Sequence, residues 1–145
     1  ERAGAWLKED GFAHVSSFNA SELGCIVSSK AMEITSREST KENVDMLTKV
    51  FHDGLADIQT RHSDFLTEVR QCGVIMGLKT GNPMGGMHLM QALIKNGVWS
   101  VMANFDKSVL QFKPGLLMPR ETADEVLNRL EYSIKEIERK QKTMS

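Results

Sequence analysis

Two cysteines, three prolines and one tyrosine in 145 residues are few of each, and each scarcity excludes something. Cys25 and Cys72 lie far apart without metal-ligand spacing. A disulfide scaffold and a zinc site are therefore set aside, and both thiols are expected to be reduced and buried as small apolar groups. Charge of one sign is missing too: 18 basic against 19 acidic residues leave a net charge of −1. That balance gives no sign of a nucleic-acid or polyanion partner. No apolar run approaches the ~18–20 residues that span a bilayer, so no membrane partner is expected. No secretory leader is visible either, and the cytoplasm is the expected compartment. The sequence opens on Glu-Arg-Ala-Gly without a methionine, which reads as a cut rather than a natural start.

What is present suits one domain. Apolar residues make up 41% and charged residues 26%, enough for a core and ordinary for a water-exposed surface. The first twenty residues are irregular, broken by Gly4 and Gly11. Trp6, Leu7 and Phe12 there need something larger to pack against. From Ser21 the pattern turns helical, with Ser21 as cap, Glu22 favoured by the helix dipole, and an end near Ser36 to Ser39. A second helical stretch carries Val44, Leu47, Phe51, Leu55, Ile58, Phe65, Leu66 and Val69 at three- and four-residue steps. His62 near this face reads as a packed helix residue rather than a ligand.

The period then changes. Val74 to Leu78, bounded by glycines, reads as a buried strand. Asn82-Pro83 marks a helix start, with Asn96-Gly97 at its end. The methionines of that helix read as core fillers. Val98 to Ala103 and Ser108 to Phe112 flank a tight Asn-Phe-Asp-Lys and suggest a hairpin, stopped by Pro114. After Pro119, Thr122 and Glu125 form a capping-box pattern ahead of the stripe Ala123, Val126, Leu130, Ile134 and Ile137. The expected fold is α/β of the α+β kind: a small, mostly antiparallel sheet with helices on one face, preceded by a long connecting helix.

No catalytic set is complete within these residues. There is no P-loop, no Ser-His-Asp spacing and no paired Cys/His site. The histidines 14, 52, 62 and 88 share no metal-binding spacing. One segment stands out, "HVSSFNASELGC" from His14 to Cys25. Ser16 and Ser17 place two hydroxyls before a helix. They can serve as turn and cap residues, or they can hold a phosphate together with neighbouring backbone N–H groups.

That segment resembles the stretch following the catalytic lysine in class III (omega) pyridoxal-phosphate aminotransferases, whose pattern is His-x-Ser-Thr-Phe-Gly-Gly-Asn/Ser-x-Leu-Ala/Gly-Cys. "EVRQCGVIMGL" resembles the family's VRGxGLMxG strand. "GVWSVMANFDKSVLQFKPGLLMPRETADEVLNRLEYSI" resembles its closing segment. The three are collinear and cover nearly the whole chain. The resemblance implies the C-terminal small domain of a fold-type I transferase. Residues 1–20 would be a remnant of the large cofactor-binding domain, 21–69 connecting helices, and 70–145 the small domain. The lysine that carries the cofactor would lie upstream of Glu1, so this chain alone would be inactive and would not retain pyridoxal 5'-phosphate.

By the same resemblance, Ser17 stands where a family threonine binds the cofactor phosphate of the neighbouring subunit in a homodimer. Ser16 matches a serine close to the substrate or the phosphate. His14 matches a common family histidine and receives no role. Asn19 and Ala20 replace two glycines. Gln111 replaces the arginine that receives a substrate carboxylate in many members, exchanging a bidentate cation for a neutral amide. Lys113, two residues on, could supply a cation instead, or could simply face solvent. The implied reaction moves an amino group from an amine or amino acid to a 2-oxo acid. An aminomutase or phospholyase of the same fold, and a stand-alone α/β binding module, are the alternatives.

Overall fold

The structure, a computed structural model, describes Ser17 and residues 21–144. These fall into two compact units divided between Arg37 and Glu38.

The first unit contains helix α1, Glu22–Thr35. Its start is built as the sequence predicts: the Ser21 hydroxyl accepts the Gly24 N–H at 3.3 Å, and Glu22 occupies the first turn. Glu33 sits between Lys30 (2.8 Å) and Arg37 (2.7 Å), spacings of three and four that bring side chains together on a helix. Leu23, Ile26, Val27 and Met32 are exposed, and α1 buries none of its side chains. Cys25 is exposed with them, contrary to the expected burial.

The second unit begins with α2, Glu38–Arg61. Leu47, Phe51, Leu55 and Ile58 recur every three or four residues and are all buried. The sequence pattern carries this helix on through Val69, but the chain leaves it at Arg61. The N–H groups of Phe65 and Leu66 both turn back to the carbonyl of His62, at 3.0 and 2.8 Å. From there Leu66–Cys72 forms strand β1. The spacing of Phe65, Leu66 and Val69 fits either period, which is why the pattern misleads here. Cys72 lies at the exposed end of this strand, again not buried.

Strand β2, Ile75–Thr80, pairs antiparallel with β1 through the two-residue turn Gly73-Val74. Helix α3, Gly85–Lys95, leads to the short strand β3, Val101–Met102, and on to β4, Val109–Phe112. The sheet order is β1-β2-β4-β3, and every pairing is antiparallel. The expected α+β class, with helices against a small antiparallel sheet, is borne out.

Alternation sorts the sheet's two faces. Met76, Leu78, Thr80, Leu110 and Phe112 are buried toward the helices, while Ile75, Gly77, Lys79 and Gln111 lie on the opposite face. Helix α2 lies along β1, α3 contacts β2, β3 and β4, and α4, Arg120–Met144, packs on both α2 and α3. Ala123, Leu127, Leu130, Ile134 and Ile137 of α4 complete one continuous core. The α3–sheet approach is close. A Cβ on Gly86 would lie 2.6 Å from the backbone of Val109, so only glycine fits there.

Both ends of α3 satisfy their backbone groups locally. At the start, the Asn82 side-chain oxygen accepts the Met84 N–H at 2.8 Å, and the helix begins two residues after Pro83. At the end, Gly97 takes φ +78. Its N–H reaches Ile94 O (3.1 Å), and the Val98 N–H reaches Leu93 O (2.8 Å), the paired closure that a left-handed residue permits. The start of α4 differs from expectation. Its first helical bond runs from the Ala123 N–H to Pro119 O, so Thr122 already lies inside the first turn and cannot cap it.

Candidate functional site

Strands β3 and β4 pair at Val101–Gln111 and Met102–Leu110 and then part. The strand expected from Val98 is only two residues long. Pro114 has no N–H to extend the ladder, and residues 98–100 run alongside unpaired. Where the strands part, a cleft of about 130 Å³ opens. That is near the ~150 Å³ of an engineered cavity able to take benzene.

Gln111 and Lys113 both line this cleft, with Val101, Phe112, Met118 and Val126 among its apolar walls. Gln111 is half-buried, and its Nε2 donates to Met102 O at a long 3.5 Å. Opposite it in the register stands Gly77, which puts no side chain beside the amide. Phe112, at the floor of the cleft, is buried and edge-on to Phe51. Lys113 is exposed.

The sequence reading passed over two lining residues. Trp99 is 81% exposed, and Ser100 is buried with an Oγ that has no hydrogen-bond partner among the described residues. The signal available was a tryptophan within a strand-like run that stops pairing.

The turn behind the cleft is fixed by Asp106, which accepts the Ser108 N–H (3.0 Å) and hydroxyl (2.6 Å) and meets Lys79 at 3.3 Å. Its carboxyl is held below the usual range, first by the Ser108 hydroxyl, then by the Ser108 backbone N–H and by Lys79. Ser17 is an exposed turn residue of the first unit. Ser16, His14, Asn19 and Ala20, as well as Trp6, Leu7 and Phe12, lie outside the described residues.

A second polar cluster joins the α2–β1 corner to α4. His62 is packed as expected, though in the turn after the helix. Its Nδ1 lies 3.0 Å from Glu138 and its Nε2 lies 3.5 Å from Glu131. Among the described residues no group of three His, Cys, Asp or Glu side chains is arranged to hold a metal ion. No helix there is long and apolar enough to cross a membrane.

A four-stranded antiparallel sheet with three helices in one core, and a cleft where its last two strands part, define a small α+β domain. The sequence profile described as Aminotransferase class-III matches residues 4–134, and the chain belongs to that family. It is 37% identical over 125 residues to an uncharacterized aminotransferase of Archaeoglobus fulgidus, covering 86% of this chain and 29% of that protein. It is 31% identical to the acetylornithine aminotransferase of Neisseria meningitidis serogroup A, covering 85% of this chain and 31% of that protein. Among solved structures, N-acetylornithine aminotransferase from Stenotrophomonas maltophilia superposes with a TM-score of 0.68 at 26% identity. That superposition covers 77% of this chain and 30% of that one. A transaminase from the marine bacterium Virgibacillus shares the fold, with a TM-score of 0.76 at 18% identity over 93% of this chain. The chain thus spans about 30% of the length of the relatives it matches.

Proposed function

We propose that this chain is the C-terminal part of a pyridoxal-phosphate-dependent aminotransferase. The intact enzyme moves an amino group from an amine or amino acid to a 2-oxo acid, works as a homodimer and resides in the cytoplasm. In this reading residues 1–20 belong to the edge of the cofactor domain, 21–69 are connecting helices, and 70–145 form the small domain. The single observation that carries the proposal is membership of the class III family over residues 4–134. The cleft at Gln111 adds a concave place, beside a strand end, for part of a substrate.

The residues present suit one portion of the cofactor, its phosphate. Ser17 is exposed, and a hydroxyl donates to a phosphate oxygen without adding charge. Ser17 would hold the phosphate of the cofactor bound in the neighbouring subunit, with Ser16 beside it or toward the substrate. When bound, the cofactor supplies the electron sink for amino transfer; the protein supplies binding and orientation. Gln111 would meet the substrate with a neutral amide, and Lys113 would offer the nearest cation at the cleft.

Several relatives are named for acetylornithine or succinylornithine, and N-acylated ornithines head the list of amino donors to assay. The deciding experiment is a substrate panel on the full-length enzyme with added pyridoxal phosphate, scoring oxo product, rearranged amine and released phosphate separately. Oxo product coupled to amination of a 2-oxo acid supports the proposal. Rearrangement or phosphate release without amino transfer overturns it in favour of an aminomutase or a phospholyase. Binding without any turnover overturns it in favour of a binding module.

A further inference from the structure

The cleft where β3 and β4 part holds a polar group that the fold leaves unused. Ser100 is 7% exposed and lines the cleft, yet its Oγ has no hydrogen-bond partner among the described residues. A buried hydroxyl in that state lowers stability unless something reaches it. Other buried hydroxyls of the same unit are engaged. Ser108 donates to Asp106, Thr80 to the carbonyls of Asn82 and Ser108, and Ser133 to the carbonyl of Arg129. Ser100 departs from that pattern at the place where a volume of about 130 Å³ gives a ligand room.

The rest of the lining defines what fits. Val101, Phe112, Met118 and Val126 wall the cleft with hydrocarbon and favour an apolar group. The volume suits about six non-hydrogen atoms, as in a benzene ring. Gln111 Nε2 reaches Met102 O only at 3.5 Å, a bond weak enough to be exchanged for one to a ligand oxygen. Trp99, 81% exposed, offers an aromatic face at the rim. A serine hydroxyl and a glutamine amide each donate and accept, so the matching ligand group is neutral and does both. A carboxamide meets that description. A carboxylate brings no donor, and the apolar walls penalise its charge. The cation of the lining, Lys113, is exposed to water and offsets that charge weakly. An ammonium has no acceptor and meets Lys113 as a like charge.

Resting on the aminotransferase reading and deepening it, we propose that this cleft is a specificity subsite for an uncharged amide carried by the substrate, with Ser100 as its buried hydrogen-bond partner and Gln111 as its second polar contact. The apolar substituent of the amide lies along Val101, Phe112, Met118 and Val126, and Trp99 flanks it at the rim.

The test uses isobutyramide and isobutyrate, which match in size and differ in charge. It needs the full-length protein but no turnover, so its failure is separate from failure of the enzyme assignment. Binding at the cleft is read from the fluorine-19 signal of Trp99 in fluorotryptophan-labelled protein, assigned with Trp99→Phe. Isobutyramide should shift that signal to saturation and bind about tenfold or more tightly than isobutyrate, the penalty expected for a charge against apolar walls. Ser100→Ala should weaken isobutyramide about fivefold, the scale of one neutral hydrogen bond, and leave isobutyrate unchanged. The same variant should melt no lower than wild type, because it removes an unpartnered hydroxyl. A lower melting temperature would show that the protein already engages Oγ and overturns the subsite. So does a Trp99 signal that isobutyramide leaves unmoved, isobutyrate binding as tightly as the amide, or unchanged amide affinity in Ser100→Ala. The comparison of the two probes on wild type requires no variant to fold.

Discussion

Phe51 of α2 and Phe112 of β4 meet edge to face, with ring centroids 5.5 Å apart and planes at 82°. The contact joins the first helix of the sheet-bearing unit to the strand that carries Gln111. Because side chains alternate along a strand, seating Phe112 in the core is what turns Gln111 to the other face. Phe112→Ala should cost about 3–5 kcal/mol, the range for emptying a buried aromatic site. Phe112→Leu should cost less, since it keeps most of the volume. Urea unfolding with an unchanged slope is the measurement. A loss below about 1 kcal/mol for the alanine variant would mean that the ring does not anchor this strand.

Gln111 should govern how the intact enzyme treats a substrate carboxylate. Gln111→Arg adds a bidentate cation beside the cleft. Selectivity, expressed as kcat/KM for a carboxylate-bearing substrate over its carboxamide analogue, should rise by roughly ten- to a hundredfold, the span between a neutral and a charged hydrogen bond. Lys113→Ala should lower the same ratio if the lysine supplies the cation, and leave it unchanged if the lysine merely faces solvent. Equal selectivity in wild type and Gln111→Arg would remove Gln111 from the substrate site.

The elements with one clean period were readable in advance. Leu47, Phe51, Leu55 and Ile58 announce α2, and Asn96-Gly97 announces the end of α3, because each rests on local geometry alone. The end of α2 was not readable, since Phe65, Leu66 and Val69 satisfy two periods and the tertiary environment chooses between them. The polar cluster at His62 was invisible for another reason. Its partners Glu131 and Glu138 stand some seventy residues away, and nothing short-range ties them to a histidine. The cleft was half visible. Gln111 was marked by the family resemblance and Lys113 by its place two residues on, but the failure of residues 98–100 to pair is a property of two strands together, so Trp99 and Ser100 went unnoticed.

Gly86 should tolerate no side chain. A Cβ there would meet the Val109 backbone at 2.6 Å and the Lys107 carbonyl at 2.7 Å, so α3 would have to move off the sheet. Gly86→Ala should destabilise by about 1–3 kcal/mol, as overpacking does, even though alanine is the better helix former. A thermal melt decides it. A raised Tm would show that helix propensity outweighs the contact and that α3 can shift freely.

Glu131 should make the domain sensitive to acid. Its carboxyl is held below the usual range, first by Lys135 and then, against the opposing effect of burial, by His62 and Arg61. A depressed folded value means that the stabilisation is complete above the ordinary carboxylate range near pH ~4.3 and is lost as pH falls through the folded value. Wild type should therefore exceed Glu131→Gln in stability at neutral pH, with the gap narrowing below about pH 4. Unfolding curves collected from pH 7 down to pH 3 check this, and a gap that stays constant would show that the ionised form of Glu131 contributes nothing.

Ser17 should matter to cofactor retention and not to the fold. It is exposed, so Ser17→Ala should leave the melting temperature of the cofactor-free protein within about 1 °C, as surface changes commonly do. A hydroxyl donated to an ionised phosphate contributes about 1.5–3 kcal/mol, so the same variant of the full-length enzyme should bind pyridoxal phosphate roughly ten- to a hundredfold more weakly. Ser17→Thr keeps the hydroxyl and should bind as wild type does. Because the phosphate in question belongs to the partner subunit's site, mixing Ser17→Ala subunits with subunits that cannot bind cofactor separates the two roles. In such a heterodimer the site built from the Ser17→Ala chain borrows an intact hydroxyl from its partner, and its affinity should return to the wild-type value. Failure to return would place Ser17 in its own subunit's site or in none.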